Sequence, residues 1–232
     1  MGQAKLRRAN AVPTVYHHTS TLRTNLIWMA GVIEIEGKSD PVFHPDLGEL
    51  RLDANLRRAM HDFPPLAWFT TRIEVPNCLL HSSLMLLDKS SGVTREVARD
   101  PRLSNAIALN RIALGFPVAA ISVVPWRDHS GYVTDEGKAL NETAREAGDN
   151  PDDWYVSEAP VDVLAATEIW SSPSIMRPKL KRLDAYLPHV RRMVEMCRSR
   201  PGTFIPPTWL KIDQQRELAR RLGVDLFDPT AA

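Results

Sequence analysis

Hydrophobic and polar positions follow one another along this chain in short stretches of differing period. Val12 to His17, with Val15 and Tyr16, has strand-like content. Thr19 or Ser20 then suits a helix cap, Leu22, Leu26, Ile27 and Ala30 fall at helical spacing, and Gly31 suits the position just past the end. Val32-Ile33-Glu34-Ile35-Glu36 alternates apolar with acidic residues, as a half-exposed strand does. Residues 37–65, rich in Gly, Pro and Asp, read as a long excursion with one short helix near Leu52 to Met60. Leu66-Ala67-Trp68-Phe69-Thr70 reads as a short buried strand. Ile107 to Leu114 and Val118 to Val124 read as core strands bounded by Gly115 and Pro117. A helix is expected from Thr134 to Ala147 and a strand at Trp154 to Ser157, with Val161 to Leu164 continuing the apolar pattern. From Lys179 the apolar stripe Leu180, Leu183, Leu187, Val190, Val194, Cys197 turns helical, with a break at Pro188. A last helix, Asp213 to Leu222, is closed by Gly223.

Strands and helices segregated in this way predict an α+β fold. With 232 residues, the chain has room for one domain and a small appendage. The expected division is 1–176 for the sheet-bearing domain and 177–232 for a helical C-terminal part packed on it. Pro, at 18, outnumbers Gly, at 11, which favours fixed connections between short elements. No signal-peptide pattern and no membrane-length apolar run is visible, so the expected location is cytoplasmic, with no membrane partner.

The net charge of +1 excludes a global electrostatic grip on nucleic acid or anionic lipid. It hides an uneven distribution. Asp135 to Glu168 holds ten acidic residues against two basic, and Arg177 to Arg200 holds eight basic against two acidic. Two solvated faces that attract each other are one reading. A basic groove for a phosphate-bearing target is the other.

Composition and spacing remove several chemistries. Two Cys make neither a disulfide framework nor a zinc cluster. His17 and His18 are adjacent, so in a strand they point to opposite faces and cannot share a metal. The other His residues, at 44, 61, 81, 129 and 189, are scattered, and no metal is expected. Cys78 stands three residues before His81, weak support for a nucleophile beside a buried-thiol reading. No Gly-x-Ser-x-Gly, Walker or Gly-x-Gly-x-x-Gly motif occurs.

One ordered series stands out. Val15-Tyr16-His17-His18-Thr19-Ser20 opens a helix that closes at Gly31. Trp68-Phe69-Thr70 follows some fifty residues on, and Trp154-Tyr155-Val156-Ser157-Glu158 much later. The series resembles the ADP-ribosyltransferase superfamily, in short separated matches over residues 12 to about 170. The first segment is similar to its Tyr-His-x-Thr motif, the second to its aromatic strand, the third to the strand bearing its catalytic glutamate. The resemblance implies a split antiparallel β-sheet core with flanking helices. It also implies NAD as co-substrate and a protein or nucleic-acid acceptor for ADP-ribose.

On that resemblance Glu158 is the catalytic carboxylate and His17 its partner in the same cleft. Cleavage of a nicotinamide–ribose bond passes through an oxocarbenium-like state, which a carboxylate stabilises and in which it orients the incoming nucleophile. His17 would bond a ribose hydroxyl or the adenosine end, and Thr19 would support the loop or contact the nicotinamide amide. Phe69, Tyr155 or Trp68 would stack on nicotinamide. Arg23 and Arg72 are candidates for the pyrophosphate. Glu168 is the rival carboxylate, with Glu34 and Glu36 behind it. The sequence departs from the family at three places. His18 stands where Gly is frequent, Val156 removes any Gln-x-Glu or Glu-x-Glu, and Phe69 replaces the Tyr of the poly-ADP-ribose branch. The alternative is a non-catalytic binding or regulatory module of the same fold with a basic helical partner surface at Arg191 and Arg192.

Overall fold

A computed structural model of the chain describes residues 13–35, 41–44, 48–53, 65–77, 85–88, 93–96, 112–172, 179–206 and 211–226. The architecture is α+β: a large antiparallel sheet with four α-helices among the described residues. The sheet is built from β1 (Thr14–Thr19), β5 (Ala67–Thr70), β8 (Ile112–Pro117), β9 (Val124–Pro125), β10 (Trp154–Ser157), β12 (Glu168–Ser171) and β13 (Lys181–Arg182). Its order is β13-β12-β8-β1-β5-β10-β9, with every neighbouring pair antiparallel. Two short pairings flank it: β2 (Val32–Ile33) with β11 (Val161–Asp162), and β14 (Thr203–Phe204) with β15 (Asp225–Leu226). A separate antiparallel sheet joins β3 (Pro41–His44), β4 (Gly48–Asp53), β6 (Met85–Asp88) and β7 (Val93–Glu96).

Side-chain alternation gives the large sheet two faces. One carries Val15, Phe69, Leu114, Phe116 and Ile169 into the main core, where Ile27 of α1 (Thr21–Ala30) and Val190, Met193, Val194 and Cys197 of α3 (Leu187–Ser199) cover them. The other carries Val156, Trp154 and Trp68 into a second core under Trp126, Tyr132 and α2 (Asp135–Glu146), whose Ala144 is fully buried. The residues beyond 177 thus add β13 to the sheet and α3 to its main core.

Helix ends were the most legible features. Ser20 caps α1 by accepting the Arg23 N–H, and Gly31 closes it in the left-handed region. Thr134 caps α2, and Gly223 closes α4 (Ile212–Leu222). Pro188 falls in the first turn of α3, which its missing N–H tolerates. The stripe from 180 is therefore a strand and a short 3₁₀ turn before it is a helix.

Several expectations need correction. β1 runs on to Thr19, two residues past the expected end, because Ala113 and Ile112 of β8 continue to pair with it. Val118 to Val124 is a 3₁₀ turn and an irregular stretch, with only Val124–Pro125 paired. The run has no alternation, and Pro117 and Pro125 lack the donors a central ladder needs. Gly115 lies inside β8 instead of bounding it. The apolar pattern at 161–164 is a two-residue strand followed by a 3₁₀ turn. Of the expected helix at 52–60, Leu52 and Asp53 belong to β4. The rest of that helix, residues 107–111, and the Cys78–His81 pair lie outside the described residues.

Candidate functional site

The three motif strands lie side by side, β1 against β5 and β5 against β10. Tyr16 pairs with Thr70, which sets His17 opposite Phe69, and Phe69 pairs with Tyr155. Opposite residues of an antiparallel pair project to the same face. His17, Phe69 and Tyr155 therefore form a row across three strands, with the His17 and Phe69 rings 5.6 Å apart.

The chemistry of His17 is set by one bond. Its Nδ1 lies 3.0 Å from the Trp68 carbonyl, which can only accept, so Nδ1 carries the proton and donates. Nε2 is left as a lone pair. Burial holds the imidazole neutral, lowering its pKa to about 4, and the Arg23 charge adds to the lowering. His18 points the other way. Its Nε2 donates to the Arg72 carbonyl at 3.3 Å, and burial lowers its pKa to about 4 as well.

Glu158 does not join this row. It follows Ser157, the last residue of β10, and its Oε1 is 2.9 Å from Nε2 of His129. His129 stacks on Trp126, which belongs to the second core, so Glu158 sits on the face opposite His17. Glu158 is three residues along the strand from Tyr155 and two strands from β1. At about 3.3 Å per residue and about 4.8 Å per strand, the two backbones are roughly 14 Å apart. The expectation that His17 and Glu158 line a single cleft is corrected on this point, because alternation along β10 sends Glu158 to the other side.

The remaining candidates divide between the faces. Trp68 packs its ring against Trp126 at 4.8 Å and Trp154 at 5.9 Å, and so belongs to the second core, away from the His17 row. Phe69 is buried in the main core, and Tyr155 is partly buried against it. Thr19 is 1% exposed, and its hydroxyl has no hydrogen-bond partner. Arg72 is exposed, and its N–H donates to the Thr70 hydroxyl. Glu34 is exposed past the end of β2.

Glu168 occupies a different setting. Its Oε2 accepts from the Tyr16 hydroxyl at 3.1 Å and from Trp170 Nε1 at 2.8 Å, and Arg182 stands 3.3 Å from Oε1. The Arg182 guanidinium also lies 5.8 Å from the centre of the Trp170 ring and pairs with Asp184. Burial and the Glu168 charge push Tyr16 up to about 12. Gly115 makes room for the cluster: a Cβ there would meet Glu168 Cβ and Tyr16 Cε1 at 2.9 Å each. Glu168 is an internal acceptor held by its strand neighbours, whereas Glu158 is open to solvent.

Sequence reasoning missed His129. It was one of five scattered histidines, and its partners lie two residues away, at Gly131, and 29 residues away, at Glu158. Only the fold brings them together. Among the described residues the acidic and basic stretches meet at two ion pairs, Arg198–Asp162 at 2.9 Å and Arg182–Glu168. Arg191 and Arg192 are exposed on α3 and form no ion pair among the described residues. No helix among the described residues is long and apolar enough to cross a membrane. No family model, no curated protein and no solved structure matches the chain.

Proposed function

We propose that the chain is an NAD-dependent ADP-ribosyltransferase-like enzyme, releasing nicotinamide and transferring ADP-ribose to a protein or nucleic-acid nucleophile. The observation that carries the reading is the fixed tautomer of His17. A neutral ring with a free Nε2 lone pair, level with Phe69 and Tyr155, suits a ribose hydroxyl beside an aromatic floor. Arg23, close enough to His17 to act on its proton, suits the pyrophosphate, with exposed Arg72 as the second candidate. Glu158, at the end of β10, is the carboxylate for the oxocarbenium-like state. In this reading the dinucleotide is extended and passes over the strand ends, from the His17 row to Glu158. Thr19, with its buried hydroxyl, acts from beneath.

The test is nicotinamide release from NAD by the pure protein, with and without protein and nucleic-acid acceptors. Release should fall at least about 100-fold in Glu158→Ala, and binding of NAD should weaken in His17→Ala. No release by the native protein with any acceptor, or undiminished release by Glu158→Ala, would sink the reading.

A second reading rests on α3. Its inner side is in the main core, while Arg191 and Arg192 are exposed, with no ion pair among the described residues. A non-catalytic module would use this surface for an anionic partner. Binding would then survive His17→Ala and Glu158→Ala, fall on charge reversal at Arg191 and Arg192, and weaken steeply with salt for nucleic acid.

A further inference from the structure

We infer that His129 is the positioning residue of Glu158, holding its carboxylate in one orientation at the rim of β10. The catalytic part of this inference rests on the activity proposed above. The geometry stands without it.

His129 has both ring nitrogens committed. Nδ1 accepts the Gly131 N–H at 3.0 Å, so it carries no proton. The proton is therefore on Nε2, aimed at Glu158 Oε1 2.9 Å away. The ring is almost fully buried, with its side chain 4% exposed, whereas the Glu158 side chain is 73% exposed. A glutamate that open to water ordinarily samples several rotamers, and one hydrogen bond at such a site contributes little to stability. The effect of this bond is direction.

The support beneath His129 is extensive. Its ring stacks on Trp126 at 5.4 Å and 23°, and Trp126 is fully buried. Trp126 Nε1 donates to Asn141 Oδ1 at 2.8 Å, which ties the stack to α2. The Thr134 hydroxyl donates to the Gly131 carbonyl at 2.9 Å and accepts the Gly137 N–H at 3.1 Å. The turn is closed tightly: a Cβ on Gly131 would press on both His129 and Trp126, and one on Gly137 would collide with the Gly131 carbonyl. Residues 126–141 thus form a rigid platform that delivers one donor to a surface carboxylate. Glu158 Oε2 accepts no bond from a described residue and remains for a ligand.

The experiment compares His129→Phe, which keeps the stack on Trp126 and loses the donor, with His129→Gln, which offers an amide donor. For nicotinamide release, kcat should fall about 10- to 100-fold in His129→Phe while KM for NAD stays within about threefold, and His129→Gln should recover most of the loss. Unchanged kcat in a folded His129→Phe protein would overturn the inference and leave the proposed activity standing. A second measurement needs no turnover: nitrogen NMR of the His129 ring in the native protein and in Glu158→Ala. Protonated Nε2, protected from exchange in the native protein and exchanging at least about tenfold faster in Glu158→Ala, supports the pairing. A proton on Nδ1, or exchange indifferent to Glu158→Ala, overturns it. Should native protein release no nicotinamide, the activity fails and the NMR result alone decides whether His129 holds Glu158.

Discussion

Glu158 and Glu168 leave the same face of one sheet at opposite ends, and their surroundings differ in kind. Glu168 is 15% exposed, accepts from Tyr16 and Trp170 through one oxygen, and has Arg182 3.3 Å from the other. Glu158 is mostly exposed and has one partner, His129, itself locked from behind. The first arrangement ties β12, β1 and β13 together through a charge. The second leaves a charge unsatisfied but aimed. Removing a shared buried acceptor strands several donors, whereas removing an aimed surface group strands one.

That contrast can be broken by mutation. The largest stability effect is expected for Glu168→Ala, about 3 kcal/mol, because two hydrogen-bond donors and a guanidinium lose their shared partner in a half-closed site. Urea unfolding measures it, and a loss under about 1 kcal/mol would place Glu168 among ordinary surface residues. Gly115→Ala should cost about 2 kcal/mol by pressing on Glu168 and Tyr16, with a lowered thermal midpoint. Tyr16→Phe should cost about 1 kcal/mol and should also remove an alkaline dependence. Tyr16 ionises near 12 in the fold, against an ordinary value near 10. The stability due to its bond is therefore whole below pH 10 and is lost as pH rises towards 12. Chemical unfolding at pH 9 and pH 11 should separate native protein from Tyr16→Phe. The smallest effect belongs to Glu158→Ala, under about 0.5 kcal/mol, despite its expected loss of nicotinamide release. Equal destabilisation by Glu158→Ala and Glu168→Ala would erase the distinction.

The acid side offers a check on His17 and His18. Both are held neutral, with pKa values lowered to about 4 against an ordinary 6.5. An unfolded chain takes up their protons first, so stability present above pH 6.5 drains away as pH falls through 4. His17→Gln should flatten that slope in unfolding measured at pH 7.5 and pH 4.5.

What could be read beforehand followed local chemistry. Ser20 with Gly31, Thr134 at the head of α2 and Gly223 after α4 are caps whose partners lie within four residues. Trp154 to Ser157 agrees with a strand to the residue because its aromatic and β-branched content is a local signal too. β12 is not among the expected strands, and in the sequence Thr167-Glu168-Ile169-Trp170 offers only a rival carboxylate. Its pattern is half-polar because one face holds the Glu168 cluster. Val118 to Val124 misled in the opposite sense, since an apolar run says that residues are covered but not that their backbone is paired. The candidate site divided in the same way. Residue types and strand neighbours were legible, but the face on which Glu158 emerges depends on the parity of β10, and no motif encodes that.

The outermost strands of the large sheet carry a further consequence. Each is only two residues long: Val124–Pro125 at one side and Lys181–Arg182 at the other. Pro125 has no N–H to offer a newcomer, and Lys181 and Arg182 would bring two cations against any strand that tried to add. The sheet is thereby blunted against edge-to-edge growth. Crowding of this protein should favour contacts through its helices over strand addition, and variants that extend either edge with apolar residues are where aggregation should begin.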